Sequence, residues 1–295
     1  MKRKINNSPK NQAFHLHAKK TLGQNFLNDK DIIENIANSI FSLFKSNQKK
    51  YVHEIGPGSG ALTQALLQKQ ISVLGLEKDQ RAVQGLKETL ELNYPNVFEV
   101  IQTDVLKWTP KMDTNLNENS ECICIGNLPY YISSEILFWF STHAKHYSHG
   151  IFMLQEEVAD RLIAKPASKA YGRLTIRMQL FFEVKKLFKV PAHCFIPKPK
   201  VNSAIVQLTP KPFSFQSEKE DHAFGILTAT LFSARRKMLR RALLQLLTNL
   251  ENKYPGKTAE FWHLANSFQV TEETRPDAIS PEAVLAFHKF FLKYN

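Results

Sequence analysis

A short polar and aromatic turn follows an apolar run near the middle of the chain. The run 122–126, Cys-Ile-Cys-Ile-Gly, is typical of a buried strand, and directly after it come Asn127, Leu128, Pro129 and Tyr130. Pro129 favours extended geometry at Leu128, which fixes the direction of the Leu128 carbonyl oxygen. This oxygen and the Asn127 side-chain oxygen can accept from a planar amine such as adenine N6, while Tyr130 stacks on the base. An ordinary turn, with Tyr130 in the core, is the alternative.

A glycine-rich turn lies between a strand and a helix earlier in the chain. Residues 54–60 read Glu-Ile-Gly-Pro-Gly-Ser-Gly, after the strand-like run 51–53 and before a helical pattern that begins at Ala61. Glycines let a ligand approach bare backbone, and the helix start offers free N–H groups. The next apolar run, 71–76, ends at Glu77, whose carboxylate can accept both hydroxyls of a ribose. A glycine turn that serves only helix packing is the alternative.

The glycine spacing also fits a nicotinamide dinucleotide site. Gly56, Gly58 and Ala61 match the pattern G-x-G-x-x-A, so the spacing alone does not exclude NAD. However, Glu54 lies where it can reach a cationic amino group, Pro57 stiffens the turn, and no hydride-transfer constellation is evident. S-adenosylmethionine carries an adenine, a ribose, an amino-acid head and a sulfonium cation. Acids around a glycine loop therefore suit it better than they suit a pyrophosphate.

The ordered set of motifs resembles the small-subunit rRNA adenine N6,N6-dimethyltransferases, the KsgA/RsmA family, over residues 19–281. The motifs that carry the resemblance are Leu-Gly-Gln-Asn-Phe-Leu at 22–27, the glycine turn at 54–60, Glu77-Lys78, Asp104-Val105, Asn-Leu-Pro-Tyr-Tyr at 127–131, Phe-Ile-Pro-Lys-Pro-Lys-Val at 195–201 and Arg-Arg-Lys-Met-Leu at 235–239. One departure is Glu135, where the family often has proline. We expect Glu135 to change local packing only.

The resemblance implies a cofactor site for S-adenosylmethionine. The residues that would form it are Gln24, Asn25, Leu27, Glu54, Gly56, Gly58, Gly60, Glu77, Lys78, Asp104, Val105 and Asn127. The first three would close over the methionine end, which the glycine turn would line. Glu77 would hold the ribose, and Asp104 would accept from the adenine amine of the cofactor. Without the family, Asp104 is better explained as a helix cap.

The resemblance also implies a site for the target adenine. Asn127, Leu128 and Tyr130 would be catalytic, with Pro129 beside them. The base would lie between the rings of Tyr130 and Phe195, although Phe195 on its own pattern is a core residue. The amine would attack the methyl group in line, so catalysis would come mostly from alignment and charge complementarity.

The charge of the chain indicates a polyanionic partner. The formal net charge is +12 and the pI is near 9.5. Arg235, Arg236 and Lys237 begin a basic run that we place on a helix over 234–247. Such a run is usually only a solvated face, but with a polyanion implied elsewhere we predict contact with RNA phosphates. The loop 165–171 is a second candidate RNA contact.

Cysteine usage and hydropathy indicate a cytoplasmic protein. The three cysteines give neither a disulfide framework nor a zinc spacing, so we expect core thiols of a reducing compartment and no metal site. No stretch approaches the roughly 18 apolar residues of a membrane helix, and no signal-peptide core is evident. We expect a monomer without a membrane partner.

Strands and helices alternate over most of the chain. This order predicts an α/β protein with a Rossmann-like class I methyltransferase sheet, mostly parallel, closed by an antiparallel pair over 182–190 and 202–208. We predict a basic disordered arm over 1–18, a methyltransferase domain over 19–210 and an all-helical rRNA-binding domain over 211–295. The arm is equally well explained as a merely solvated tail.

The resemblance implies a substrate that composition and spacing do not show. It would be two adjacent adenosines in a hairpin near the 3′ end of small-subunit rRNA, within an immature ribosomal particle. One alternative is a large-subunit rRNA adenine methyltransferase of the antibiotic-resistance type. Another is a ribosome-assembly or RNA-binding factor whose catalytic activity is secondary.

Overall fold

A computed structural model describes residues 16–19, 23–45, 48–116, 120–213, 215–233 and 235–294. Residues 1–15 of the predicted basic arm lie outside the described residues, as does Leu22 of the first motif.

The strands form one large sheet and one short ribbon. They are β1 (Phe26–Leu27), β2 (Lys49–Ile55), β3 (Ser72–Glu77), β4 (Phe98–Gln102), β5 (Ser120–Asn127), β6 (His149–Gln155), β7 (Phe182–Val190), β8 (Phe195–Ile196) and β9 (Ser203–Pro210). The sheet has the order β4-β3-β2-β5-β6-β9-β7, and β1 pairs with β8. Strands β2 to β6 pair in parallel, whereas β9 runs antiparallel to β6. The predicted fold class is confirmed.

The helices are α1 (Lys30–Phe41), α2 (Ala61–Gln68), α3 (Gln80–Leu86), α4 (Ser133–Thr142), α5 (Glu156–Leu162), α6 (Arg173–Phe181), α7 (Glu218–Ser233), α8 (Leu239–Ala242), α9 (Leu244–Lys253), α10 (Lys257–Ser267) and α11 (Pro281–Leu292). Helix α1 ends at Phe41, and Leu43 and Phe44 beyond it still pack against the core. In the part of the chain that the structure describes, no helix is long and apolar enough to cross a membrane.

The chain divides into two compact units, 1–156 with 186–208 and 157–185 with 209–295. The first unit holds most of the parallel sheet, and α1, α2 and α3 contribute to its apolar core. Ile36 and Ile40 of α1 and Leu66 of α2 pack there with Val52 and Ile123 of the central strands. Strand β3 is buried along its whole length, as expected for a parallel strand that is covered on both faces.

The second unit is built from α6 to α11 and the segment that precedes α6. Residues 157–185, which the pattern predicts within the first domain, pack within this helical unit. Arg177 of α6 forms an ion pair with Asp221 of α7, and the Tyr171 hydroxyl donates to the Ile279 carbonyl at 2.7 Å. The residues that form these contacts are far apart in sequence, so local sequence patterns do not indicate the contacts.

The basic run does not lie on the continuous helix predicted over 234–247. Helix α7 ends at Ser233, Arg235–Lys237 lie in a turn, and α8 begins only at Leu239. The Leu239 N–H donates to the Thr274 carbonyl at 2.8 Å. The backbone N–H at the start of α8 is thus hydrogen-bonded to a remote segment and not to the preceding turn of a helix. This tertiary contact overrides the local helical pattern.

Candidate functional site

The carboxyl ends of four parallel strands meet at one edge of the sheet. The register pairs Ile55 of β2 with Leu76 of β3 and with Gly126 of β5. Glu77 pairs with Gln102 of β4. The residues that follow these strand ends therefore lie side by side, at the edge where open α/β sheets bind ligands.

The turn after β2 has a backbone that requires glycine. Gly56 has a φ of 65° and Gly58 a φ of 57°. A Cβ on Gly58 would lie 2.9 Å from a ring carbon of Phe26. Apart from Gly56 itself and its two neighbours in the chain, no described atom lies within 4 Å of the position that a Cβ on Gly56 would take. The bare backbone at Gly56 is thus open to a ligand.

Glu77 is held in place by backbone N–H groups. Its Oε2 accepts from Gly58 N at 3.0 Å, and its Oε1 accepts from Asp79 N at 2.8 Å. Burial raises the pKa of Glu77, while these hydrogen bonds favour the ionised form. A carboxylate oxygen that accepts one bond retains another lone pair, so Glu77 can still accept from hydroxyl groups.

Asp104 begins the short 3₁₀ turn Val105–Lys107 after β4. Its Oδ1 accepts from Leu106 N at 3.1 Å, and its Oδ2 accepts from Lys78 Nζ at 2.9 Å. The bond from Lys78 holds the pKa of Asp104 below its usual value. Asp104 therefore caps the 3₁₀ turn, as the alternative interpretation predicts. It also lines the cavity as an ionised acceptor.

Asn127 ends β5 with a fixed amide orientation. Its Nδ2 donates to the Asn25 carbonyl at 2.8 Å, which leaves Oδ1 as the acceptor on the other side of the amide. The Leu128 N–H donates to the Met153 carbonyl of β6 at 3.1 Å. The turn is thereby anchored to two neighbouring elements.

Two adjacent tyrosines follow Pro129 and differ in their surroundings. The Tyr130 hydroxyl forms a 2.9 Å hydrogen bond with Ser203 Oγ, and burial raises the pKa of Tyr130. Tyr131 is 56% exposed, and its ring lies about 3.1 Å from the Cβ position of Gly23. Both tyrosines line the cavity, so two aromatic rings are available there.

One cavity in the first unit brings these parts together. The predicted residues that line it are Gln24, Asn25, Gly56, Gly58, Glu77, Lys78, Asp104, Val105, Asn127, Leu128, Pro129 and Tyr130. It encloses roughly 810 Å³ between protein atoms, solvent at its mouth included. Its lining combines apolar side chains with a few polar groups, which is typical of sites for small molecules and cofactors.

Comparison with known proteins shows the family of this chain. The family described as "Ribosomal RNA adenine dimethylase" matches residues 15–285. The chain belongs to this family. It is 38% identical over 264 residues to "Ribosomal RNA small subunit methyltransferase A" of Mycoplasma mobile, a match that covers 88% of this chain and 93% of that protein.

Two solved structures have folds similar to that of this chain. The crystal structure of a dimethyladenosine transferase from Plasmodium falciparum has a TM-score of 0.73 and 27% identity, over 91% of this chain and 98% of that one. The crystal structure of the 23S rRNA methyltransferase ErmE has a TM-score of 0.62 and 25% identity, over 90% and 99%. The predicted family and methyltransferase fold are confirmed.

Some residues to which the dimethylase resemblance gave a role do not line the cavity; they are Leu27, Glu54, Gly60 and Phe195. Phe195 is 2% exposed and packs in the core, where β8 pairs it with Leu27 of β1. A ring that stacks on a base must present an open face. The structure therefore does not support the stacking role of Phe195 and places it as an anchor for the segment that carries Gln24 and Asn25.

Glu54 lies behind the glycine turn. It is 3% exposed, and its Oε2 accepts from Thr63 Oγ1 at 2.6 Å. Burial raises the pKa of Glu54 to about 7, with a smaller contribution from the charge of Glu77. In this arrangement Glu54 supports the turn from within the core.

Several residues of the cavity were not predicted from the sequence, among them Phe26, Thr103 and Tyr131. Phe26 and Tyr131 belong to the family motifs, so their position beside assigned residues was the available signal. Thr103 had no comparable signal. It lies in the cavity because its N–H donates to the Glu77 carbonyl at 2.8 Å across the strand ends.

A basic pocket lies in the second unit, around the turn after α7. Its exposed cations are Lys169, Arg236, Lys237 and Arg275. Arg235 differs from them, since its Nη2 donates to the Ser168 and Lys169 carbonyls at 3.0 and 2.8 Å. Its Nε also lies 3.3 Å from Asp277 Oδ2. Arg235 thus holds the predicted RNA-binding loop in place, and its neighbours face solvent.

Proposed function

We propose that this protein transfers methyl groups from S-adenosylmethionine to N6 of two adjacent adenosines in a hairpin near the 3′ end of small-subunit rRNA. The observation that carries the proposal is that one cavity joins the open glycine turn, Glu77 and Asp104 with the Asn127–Tyr130 turn. The name of the Mycoplasma mobile relative supports the small subunit as the target.

The residues of the cavity suit this cofactor, which when bound supplies an electrophilic methyl group on a sulfonium. Gly56 offers bare backbone at the floor of the cavity. Glu77 accepts from the ribose hydroxyls, and ionised Asp104 accepts from the adenine amine. Val105 packs against the adenine ring, and Asn25 covers the methionine end.

Asn127 and Leu128 orient the target amine. The Asn127 Oδ1 and the Leu128 carbonyl accept the two N6 hydrogens, so that the nitrogen lone pair points into the cavity. Asn127 is neutral at every working pH and adds no negative charge beside the methyl donor. No strong base is required, because N6 becomes acidic only as it is methylated and its proton then passes to solvent.

Aromatic rings hold the extruded adenine. Tyr130 supplies one ring, as the sequence analysis expects. Since Phe195 is in the core, we assign the second face to Tyr131, which is exposed and lines the same cavity. Stacking of this kind is worth about 1–3 kcal/mol per base.

The exposed cations of the second unit are the proposed contacts with the RNA partner. The exposed cations Lys169, Arg236, Lys237 and Arg275 contact phosphates of the rRNA in an immature small-subunit particle. We infer that the protein acts as a monomer in the cytoplasm, where such particles are assembled in bacteria.

The similarity to ErmE over most of the chain supports a second candidate, methylation of large-subunit rRNA. Both candidates use the same cavity chemistry, so the rRNA that becomes labelled distinguishes them. The test is transfer of labelled methyl groups to under-methylated small subunits, to large subunits and to naked rRNA, with the modified nucleotides mapped by mass spectrometry.

We expect label in two adjacent adenosines of the small subunit, and more than one methyl group on each N6. The Asn127→Ala variant serves as the inactive control, and fully methylated small subunits serve as the saturated substrate. Label confined to the large subunit would favour the second candidate. Absence of transfer to all three substrates, with S-adenosylmethionine bound, would indicate a non-catalytic assembly factor.

A further inference from the structure

A cluster of three ligand-type side chains lies outside the cavity of the first unit. The Asp29 carboxylate, the His193 ring and the Cys194 thiol each offer one ligand atom, and these atoms all lie within 4.8 Å of one another. We propose that this cluster binds a soft divalent cation, with zinc as the preferred ion. Nothing in the proposed methyl transfer uses these three side chains.

Two of the ligands are already held in place. Asp29 caps α1 with Oδ1, which accepts from Ile32 N at 3.0 Å, and this leaves Oδ2 directed toward the thiol. The backbone of Cys194 is fixed by a 2.9 Å bond from Asn28 N to its carbonyl and a 3.1 Å bond from its N–H to Pro191. Hydrogen bonds that orient ligands in this way strengthen metal sites.

The spacing of the two fixed ligands matches a tetrahedral site. Zinc binds sulfur at about 2.3 Å and oxygen at about 2.0–2.2 Å, so two such ligands at a tetrahedral angle lie roughly 3.5 Å apart. The observed distance from Cys194 Sγ to Asp29 Oδ2 is 3.6 Å. His193 is exposed and its ring nitrogen lies within 4.8 Å of the other two ligand atoms, so a rotation of its side chain would bring it to the ion as the third ligand. Water would take the fourth position.

The chemistry of the ligands selects the ion. A thiolate and an imidazole favour zinc over magnesium or calcium, which prefer oxygen ligands. When the ion binds, a sulfur–metal bond forms and the thiol proton passes to the buffer. No oxidation or reduction takes place, so no further reactant is required.

The position of the cluster gives the ion a structural consequence. Asp29 closely follows β1, and Cys194 directly precedes β8, so the ion would close the β1–β8 ribbon at one end. The same segment carries Asn25 and Phe26 into the cavity. A bound ion would therefore stabilise the cavity wall that these residues form, and zinc should raise the melting temperature of the protein.

The test uses tag-free, full-length protein with zinc alone and with cobalt(II) as a spectroscopic probe. We expect calorimetry to show one equivalent of zinc. Cobalt should give a thiolate-to-metal charge-transfer band in the near ultraviolet and the intense visible bands of tetrahedral coordination. Cys194→Ser should abolish the charge-transfer band and weaken zinc binding by at least about 10-fold.

His193→Ala provides a second variant at an exposed position, where loss of folding is not expected, and it should also weaken zinc binding by at least about 10-fold. His263→Ala, an exposed histidine in the helical unit, is the matched control and should bind zinc like the native chain. Far-ultraviolet circular dichroism confirms that each variant is folded. The proposal is overturned if the native chain takes up no zinc, or if His193→Ala binds it within about 10-fold of the native affinity.

Discussion

At the scale of single residues, the Asn127 amide makes one contact within the protein and one proposed contact with the substrate. Its Nδ2 is bonded to the Asn25 carbonyl, and its Oδ1 is the proposed acceptor for N6. We expect Asn127→Ala to retain S-adenosylmethionine binding and to lower turnover by about 100-fold or more, because a preorganised acceptor for the reacting amine is lost. Single-turnover transfer of labelled methyl and binding calorimetry measure the two quantities.

The matched control for this variant is Asn38→Ala, on the exposed surface of α1, which should behave like the native protein in both assays. Near-full turnover of Asn127→Ala would remove Asn127 from the catalytic role.

Glu54 makes the stability of the protein depend on pH. Its pKa is raised from 4.5 to about 7 by burial, so between these values the folded protein keeps a proton that the unfolded chain loses. The free energy of unfolding therefore falls as the pH rises through this window. Glu54→Gln removes the titration. As the pH rises from 4.5 to about 7, we expect the free energy of unfolding of the variant to increase by about 3 kcal/mol relative to that of the native protein.

Urea denaturation of both proteins without cofactor, at acid and at slightly alkaline pH, measures this difference. The comparison with the variant cancels the contributions of the other carboxylates. Parallel stability profiles for the two proteins would show that Glu54 ionises at an ordinary pH.

Single residues could be predicted where the strand order alone brings them to the ligand-binding edge of the sheet. Glu77, Asp104 and Asn127 each follow or end a parallel strand, and such positions converge at one edge whatever the details of packing. Glu54 lies in β2, but its side chain is buried behind the glycine turn; Phe195 was assigned by family position and is buried by residues remote in sequence. Asp29 and Cys194 meet only through the β1–β8 pairing, so no local spacing indicated their cluster.

At the scale of elements, the glycine turn after β2 is a sterically constrained connection of the cavity. Gly58 has a φ of 57°, and an added Cβ would lie 2.9 Å from Phe26. We expect Gly58→Ala to destabilise the protein by about 1–2 kcal/mol, because a side chain disfavours this backbone conformation. Cofactor affinity should fall as well, since Phe26 lines the cavity. Thermal melts with and without S-adenosylmethionine measure both effects.

Gly225→Ala is the control for this substitution. Gly225 lies inside α7, and no described atom beyond its own helix backbone lies within 4 Å of its Cβ position. Alanine favours a helix more than glycine does, so the control should be neutral or stabilising by up to about 1 kcal/mol. Equal behaviour of the two variants would show that the turn tolerates a side chain.

The elements of the parallel sheet were predictable because each strand is an apolar run of ordinary length between clear turns. The non-helical turn at Arg235–Lys237 was not, because the helical pattern runs through residues 234–247 without proline or glycine. This turn depends on bonds from Leu239 and Arg240 to the segment 272–274, which a local pattern does not contain.

At the scale of the whole molecule, a net charge of +12 favours binding to any polyanion, so specificity requires that particular cations be placed. In the second unit Arg235 is engaged with the Ser168 and Lys169 carbonyls and with Asp277. Arg236 and Lys237 are exposed beside it. Adjacent residues of the same charge therefore have different tasks.

This division can be tested by comparing salt dependence with stability. We expect Arg236→Ala and Lys237→Ala each to reduce by about one the magnitude of the slope of log K against log salt concentration, where K is the association constant for RNA, because each removes one phosphate contact. The melting temperature of both variants should be unchanged. Arg235→Ala should instead lower the melting temperature, because the loop that carries Lys169 loses its bonds to Arg235. Binding to a small-subunit rRNA fragment over a range of salt, together with thermal melts, measures both. A reduced slope for Arg235→Ala at full thermal stability would place Arg235 among the phosphate contacts and contradict its structural role.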